Sequence, residues 1–455
     1  MLDHLDKDCG KSLYEQIYED IRGDILSGRL SLGEKLPSKR MTAERLRVSI
    51  ITVENAYSQL IAEGYVRAAE RSGYYVQYSG GAVDVPARLE VQDDPPEKEA
   101  SVPDTEEPSA FPFTVWARLM RSVLLEKGTA LLRPVRHGGA EELCRAISDY
   151  LYRARGFFVP HERIIIGAGT EYLYNLMIQL LGREQVYGIE NPGYEKLPKI
   201  YALNGVKCEH IPLDSDGIIP EELERKGVTV AHISPAHHYP TGIVMPITRR
   251  RELMDWLAGG EERYVIEDDY DSEFRWSGKP VPTMFGMDAS GRVIYINTFS
   301  QTIAPSVRIS YMCLSEELYR LWTERLGFYS CPVPVFEQHT LARFISEGYF
   351  ERHINRTKKR FRRIRELVLR MMEMFGGVTV SEENAGLHFT AEVAGDAEEF
   401  IAACIKCGLR ITEMSDYYTP RGSFGKGQYV VNYAGAREDE LIAFISGSSQ
   451  AGLIK

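Results

Sequence analysis

Leu13, Ile17, Ile21 and Ile25 recur every four residues, which predicts a helix with a single apolar stripe ending near Ser27-Gly28. Pro37-Ser38 then opens a short helix, and Val48-Ser49 makes a turn. Ser49 is placed to cap a second helix that runs through Thr52, Ala56 and Leu60 to Gly64. Val66 and the run Tyr74-Tyr75-Val76, parted by a turn at Ser72-Gly73, read as a two-stranded wing. Beyond residue 160 the pattern changes. Apolar runs at 164–169, 185–190, 228–234, 264–269 and 293–300 alternate with helical periods, predicting a large α/β domain with a mostly parallel sheet. Such sheets bind ligands at the carboxyl ends of their strands, so polar residues closing these runs are site candidates.

The chain has 455 residues, of which 44% are hydrophobic, enough for a sizeable core in two or three domains and too many for a disordered or collagen-like chain. No stretch approaches the roughly 18 apolar residues of a membrane span. The net charge of −11 argues against a chain that is basic throughout, but its distribution matters more. Residues 79–110 hold nine acidic side chains, two basic ones and five prolines, so they carry seven of the eleven net negative charges and read as a self-repelling linker. Residues 1–78 are nearly neutral, and residues 35–47 set five basic side chains (Lys35, Lys39, Arg40, Arg45, Arg47) against Glu44, a local balance of +4. Three regions follow: a small module at 1–78, the linker at 79–110 and a large domain at 111–455.

Seven scattered cysteines form no disulfide framework, and MLDHLDKDCG lacks the apolar run of a signal peptide; the expectation is a reducing cytoplasm. Cys404 and Cys407 form a lone C-x-x-C, expected to pack on a helix rather than bind metal, and no metal site is predicted.

The short helices, turn and wing are the parts of a helix-turn-helix, whose second helix enters the major groove. Taken by itself, the basic run has the plainer meaning of a solvated helical face. The whole segment from Leu13 to Val76, however, resembles a GntR-type winged helix-turn-helix, including Leu36-Pro37-Ser38-x-Arg40, Val48-Ser49-x-x-Thr52-Val53 and Glu63-Gly64 before the wing. The resemblance implies that Ser38, Arg40, Ser49, Thr52 and the wing tip at Arg71 and Gly73 meet double-stranded DNA. Ile50 departs from it, standing where the family usually has arginine; an apolar side chain there can touch a thymine methyl but cannot pair bidentately with guanine.

The segments YVIEDDYDSEFRWSGKP and VIYINTFSQTIAPSVRISYM resemble the pyridoxal-phosphate domain of fold-type I aminotransferases. They are most similar to the MocR/GabR regulators, which join that domain to a GntR-type module. By this resemblance Asp268 faces the pyridinium nitrogen and Tyr270 the phenolic oxygen. Ala168-Gly169-Thr170 offers backbone amides and a hydroxyl to the phosphate at a helix start. Arg308 gives the phosphate a bidentate partner, with Thr298 and Ser300 beside it. Tyr194 stacks on the ring, Pro240-Thr241-Gly242 borders its phenolic edge, and AGLH at 385–388 also matches. Alone, these residues have ordinary alternatives: a helix cap for Asp268, a half-buried tyrosine for Tyr270, a plain turn for Tyr194. Arg410 is a candidate for an effector carboxylate or a surface arginine, and Arg133 and Arg136 are candidates for contacts across a dimer.

The decisive departure is Gln301. The resemblance puts there the lysine that attaches pyridoxal phosphate, seven residues before Arg308. A glutamine amide is not nucleophilic and cannot take over that role. Gln301 is either a deliberate replacement or a natural loss of covalent attachment, and Lys279 is the nearest alternative amine in sequence. The cofactor is then expected to bind noncovalently, or as an external aldimine with a free amine. The leading expectation is a homodimeric transcription regulator that senses pyridoxal phosphate, an amino acid or an amine, without turnover. An active aminotransferase and a cofactor-free dimerisation scaffold are the alternatives.

Overall fold

The computed structural model describes residue 5 and residues 11–69, 72–78, 111–276, 281–395, 397–422, 424–425 and 427–450. The predicted linker at 79–110, Arg71 and Lys279 lie outside these residues. Contacts divide the chain into two units between Val102 and Pro103.

In the first unit, helix α1 (Leu13–Leu26) is followed by strand β1 (Lys35–Leu36), helices α2 (Lys39–Leu46) and α3 (Ile50–Ala62), and strands β2 (Val66–Ala69) and β3 (Gly73–Val76). The predicted stripe of α1 is the inner one: Ile17, Ile21 and Ile25 are buried in one cluster with Val53, Ala56 and Leu60 of α3. At roughly 1.5–3 kcal/mol for each fully buried side chain of this size, that seam dominates the module's stability. The sheet order is β1-β3-β2, all antiparallel. Strand β1 was not predicted, because two residues carry no periodicity. Arg47 closes α2 in the left-handed region at φ 52°, which turns the chain sharply into α3.

The second unit begins with helices α4 (Phe113–Lys127) and α5 (Glu141–Arg155) and then lays down an eight-stranded sheet. Its strands are β4 (Ile164–Gly167), β5 (Val186–Asn191), β6 (Lys207–Asp214), β7 (Gly217–Ile218), β8 (Val230–Ile233), β9 (Tyr264–Asp268), β10 (Val293–Thr298) and β11 (Ser310–Cys313). The spatial order is β4-β11-β10-β9-β8-β5-β6-β7. The run from β10 to β6 is parallel, whereas β11 is antiparallel to both its neighbours and β7 is antiparallel to β6. All five predicted strands are present. Residues of β4, β8 and β10 are buried throughout: on one face α5 and helix Val335–Ser346 cover β4 and β10 while helix Ile247–Ala258 covers β8, and helices Thr170–Leu181 (α6) and Glu316–Leu326 lie on the other.

The chain ends in a four-stranded antiparallel sheet, order β12-β13-β15-β14, formed by β12 (Val378–Ser381), β13 (His388–Val393), β14 (Arg410–Glu413) and β15 (Gln428–Asn432). Helices Tyr349–Glu373 and Glu398–Lys406 pack on it. Cys404 and Cys407 are buried in this core, where burial pushes the Cys404 thiol up to about 12, so the pair packs as expected. Among the described residues no helix is long and apolar enough to cross a membrane.

Candidate functional site

The start of each short helix in the first unit is fixed by a hydroxyl. The Ser38 hydroxyl accepts from the Met41 amide at 3.3 Å, and the Ser49 hydroxyl accepts from the Thr52 amide at 3.1 Å and pairs with the Thr52 hydroxyl at 2.8 Å. These side chains therefore orient the turn before they meet anything else. Lys39 is held by Glu54 at 2.6 Å and lies over the Tyr74 ring, while Arg40 and Arg47 are exposed. Gly73, at φ +116°, leaves room for Lys35: a Cβ there would stand 3.0 Å from the Lys35 Cε. For Arg40→Ala we expect weaker DNA binding and a log–log salt slope shallower by about one, the value of one phosphate contact. Titration at four or five salt concentrations checks it, and an unchanged slope assigns Arg40 another role.

In the second unit, the carboxyl ends of the parallel strands gather the predicted side chains along one rim. Asp268 closes β9 and is buried; its Oδ2 accepts a short hydrogen bond from the Tyr174 hydroxyl on α6 and lies 3.6 Å from His232 Nε2. Its Oδ1 is buried without a hydrogen-bond partner among the described residues. A buried carboxylate oxygen left unsatisfied is costly, and a protonated ring nitrogen is the kind of group that would satisfy it. Tyr270 reaches His237 Nδ1 at 3.4 Å, and burial lifts its hydroxyl well above the usual range.

The phosphate candidates converge from distant parts of the chain. Gly169, at φ +95°, caps α6, and a Cβ built on it would lie 2.5 Å from Arg308 Nη2. Only glycine lets that guanidinium lie against the helix start. Arg308 is half exposed, with Glu171 Oε2 3.5 Å away, and Glu171 in turn holds Lys196 at 2.7 Å. Thr298 and Ser300 are largely engaged internally: Ser310 donates to Thr298 Oγ1 at 2.8 Å, and Ser300 Oγ donates to the Val307 carbonyl at 3.0 Å. They shape the loop that carries Arg308. Gln301 follows Ser300 and is exposed.

Beside this rim lies a cavity of about 130 Å³ lined by Tyr194, Glu190, His210, Tyr417, Tyr418 and Arg421. Two hydrogen bonds between Asn191 and Thr419 and one between the Tyr239 and Tyr417 hydroxyls, at 2.6 Å, tie its two walls together. Arg410 is exposed on β14. Arg136 donates to the His161 and Glu162 carbonyls, so it is held within its own unit, whereas Arg133 is exposed.

The model of the gntR family of bacterial regulatory proteins matches residues 13–76. Across nearly its full length the chain is 35% identical to an uncharacterised HTH-type transcriptional regulator, YdeL of Bacillus subtilis (strain 168), covering 94% of each. It is 31% identical to the probable rhizopine catabolism regulatory protein MocR of Rhizobium meliloti, covering 87% of this chain and 84% of that one. The chain belongs to the MocR-type gntR-family transcriptional regulators. Its larger unit has the aminotransferase fold: a multiple substrate aminotransferase from Thermococcus profundus superposes with a TM-score of 0.63 at 23% identity, over 75% of this chain and 88% of that one.

Several residues of this MocR-type site were not singled out from sequence. Glu190, at the end of β5, accepts from the Ser234 amide at 2.9 Å, and burial pushes its carboxyl up to about 8, so it holds a proton at neutral pH. His232 takes the Tyr201 hydroxyl at 2.7 Å on one ring nitrogen and faces Asp268 with the other. His237 is 2.8 Å from Asp271 and stacks near His388 of the AGLH segment, with ring centroids 4.3 Å apart; burial drives His237 down to about 3. These three offer atoms of metal-ligating type within 4.8 Å of one another, a grouping no spacing in the sequence announces, and the His237–Asp271 hydrogen bond already joins two of them. The available signal for Glu190 and His232 was a lone polar residue inside an otherwise apolar strand.

Proposed function

We propose that this MocR-type regulator binds pyridoxal phosphate noncovalently at the rim of its larger unit and couples that site, with an amino acid or amine as effector, to DNA binding. The observation that carries the reading is the buried, unsatisfied Asp268 Oδ1 at the end of β9. When bound, the cofactor supplies an electron-withdrawing ring and an aldehyde that captures amines. Asp268 holds the ring-nitrogen proton, and the Tyr174 hydroxyl keeps that carboxylate in place. Tyr270 donates to the phenolic oxygen, Tyr194 covers a ring face, and Gly169, Thr170 and Arg308 hold the phosphate. Gln301 occupies the attachment position; its amide can donate and accept hydrogen bonds but can neither attack the aldehyde nor shuttle protons as an amine, so turnover is not part of this function.

The cavity beside Tyr194, about 130 Å³, is well below the roughly 300–1,000 Å³ of drug-sized pockets, which suits a small amino acid or amine. A homodimer brings two such units and two DNA modules together, with residues 79–110 as the tether. An effector that binds one arrangement more tightly shifts the pair toward it and changes DNA affinity by the same coupling factor.

Absorption titration of the full chain with pyridoxal phosphate, followed by borohydride and mass spectrometry, tests the reading. Saturable uptake without a reducible protein adduct is expected, together with no transamination from a panel of amino donors. Absence of uptake would leave a cofactor-free scaffold, and saturable turnover would establish an enzyme.

A further inference from the structure

We propose that helix α3 reads A·T base pairs, with Ile50 and Ile51 against thymine methyl groups in the major groove and Asn55 paired to adenine. This rests on the DNA-binding reading and specifies the chemistry of its contact surface. Helix α3 buries Val53, Ala56, Tyr57 and Leu60 and turns Ile50, Ile51, Glu54, Asn55 and Ser58 outward. Ile50 is 47% and Ile51 68% exposed, two bulky aliphatic side chains on the first turn of a helix whose start is locked by the Ser49 cap. The exposed part of each contributes nothing to the fold; against an apolar group it recovers burial energy.

The surroundings select the partner. Arg40 and Arg47, on α2 and its C-terminal cap just before this helix, are exposed, and Glu54 is neutralised by Lys39 at 2.6 Å. An apolar tip set in a cationic rim is complementary to a polyanion that displays apolar groups in its groove. In the major groove of DNA the apolar group on a base edge is the thymine C5 methyl. Guanine is read chiefly by arginine or lysine, and Ile50–Ala62 contains neither. Asn55, one turn beyond Ile51, makes no side-chain hydrogen bond among the described residues, and an asparagine amide matches the donor–acceptor pair of adenine. Thymine contact and adenine pairing are two faces of the same base pair, so the three side chains agree.

The test uses the full chain at one fixed salt concentration. Duplexes are selected from a randomised pool, and affinity is then measured for the selected duplex and for versions in which single thymines are replaced by deoxyuridine. That replacement keeps base pairing and deletes only the methyl. We expect enriched A·T positions in each half-site and about fourfold weaker binding per contacted methyl, the factor that burial of one carbon gives. The double variant Ile50→Ala/Ile51→Ala should bind the selected duplex more weakly and no longer distinguish thymine from uracil. Both residues are exposed, so folding is preserved. Equal affinity of the unaltered chain for thymine and uracil at every position overturns the proposal. Failure to enrich any duplex is a separate result, which overturns the DNA-binding reading beneath it.

Discussion

Gln301→Lys is expected to convert noncovalent pyridoxal phosphate binding into covalent attachment. After incubation with cofactor and reduction with borohydride, the variant should carry close to one pyridoxyl group per chain, located by peptide mass at position 301, while the unaltered chain carries none. The chemistry needs only a free amine at that point, because the proposed site assigns the remaining contacts to Asp268, Tyr270 and the Gly169–Arg308 cup. Gln301 is exposed, so the exchange should alter stability by no more than about 0.5 kcal/mol. Cofactor uptake by the variant without a reducible adduct would show that the turn after β10 does not present this residue to the cofactor.

The second large effect concerns Asp268 and has opposite signs with and without cofactor. For Asp268→Ala we expect pyridoxal phosphate affinity to fall about a hundredfold or more, since removing one member of a buried ion pair costs roughly 3–5 kcal/mol. Asp268→Asn keeps an acceptor for the Tyr174 hydroxyl but removes a buried anion whose Oδ1 has no partner among the described residues. The empty Asn variant should therefore unfold at the same temperature as the unaltered chain or higher, and the rise in Tm that cofactor gives the unaltered chain should vanish. A lower Tm for the empty Asn variant would make Asp268 a structural residue. A pair of thermal scans per variant, with and without cofactor, reads both signs.

Much of this architecture could be read from the chain because the relevant constraints are local. The spacing of Ile17, Ile21 and Ile25 is a property of one helix, and Ser38 and Ser49 announce helix starts through their own short side chains. Strands β8 and β10 are covered on both faces, so their apolar runs are continuous and conspicuous. What escaped depends on distant pairing. Strand β6 is mostly half-buried, with Ile211 its one fully buried residue, and it carries no apolar run that would announce it before β5 is placed beside it. The four-stranded sheet rests on pairings between residues as far apart as His388 and Asn432, and no single run betrays it. Within the candidate site, the motifs single out Asp268, Tyr270, Gly169 and Arg308, which the fold places at the strand ends and at the start of α6 and of β11. The hydrogen bond of Tyr174 to Asp268 and the approach of His232 were not legible, because one comes from α6 and the other from β8.

Strand β4 lies at one end of the large sheet and pairs only with β11, which follows it by more than 140 residues. Gly169 leaves β4 and Arg308 enters β11, so the cup between them is closed by the sheet's longest-range pairing. During synthesis the segment from β4 to β10 emerges before its edge partner exists, so this pairing cannot form until residues 310–313 have been made. A nascent or truncated chain lacking β11 has no guanidinium beside Gly169. The approach of Arg308 to Gly169 therefore depends on completion of the large sheet's edge.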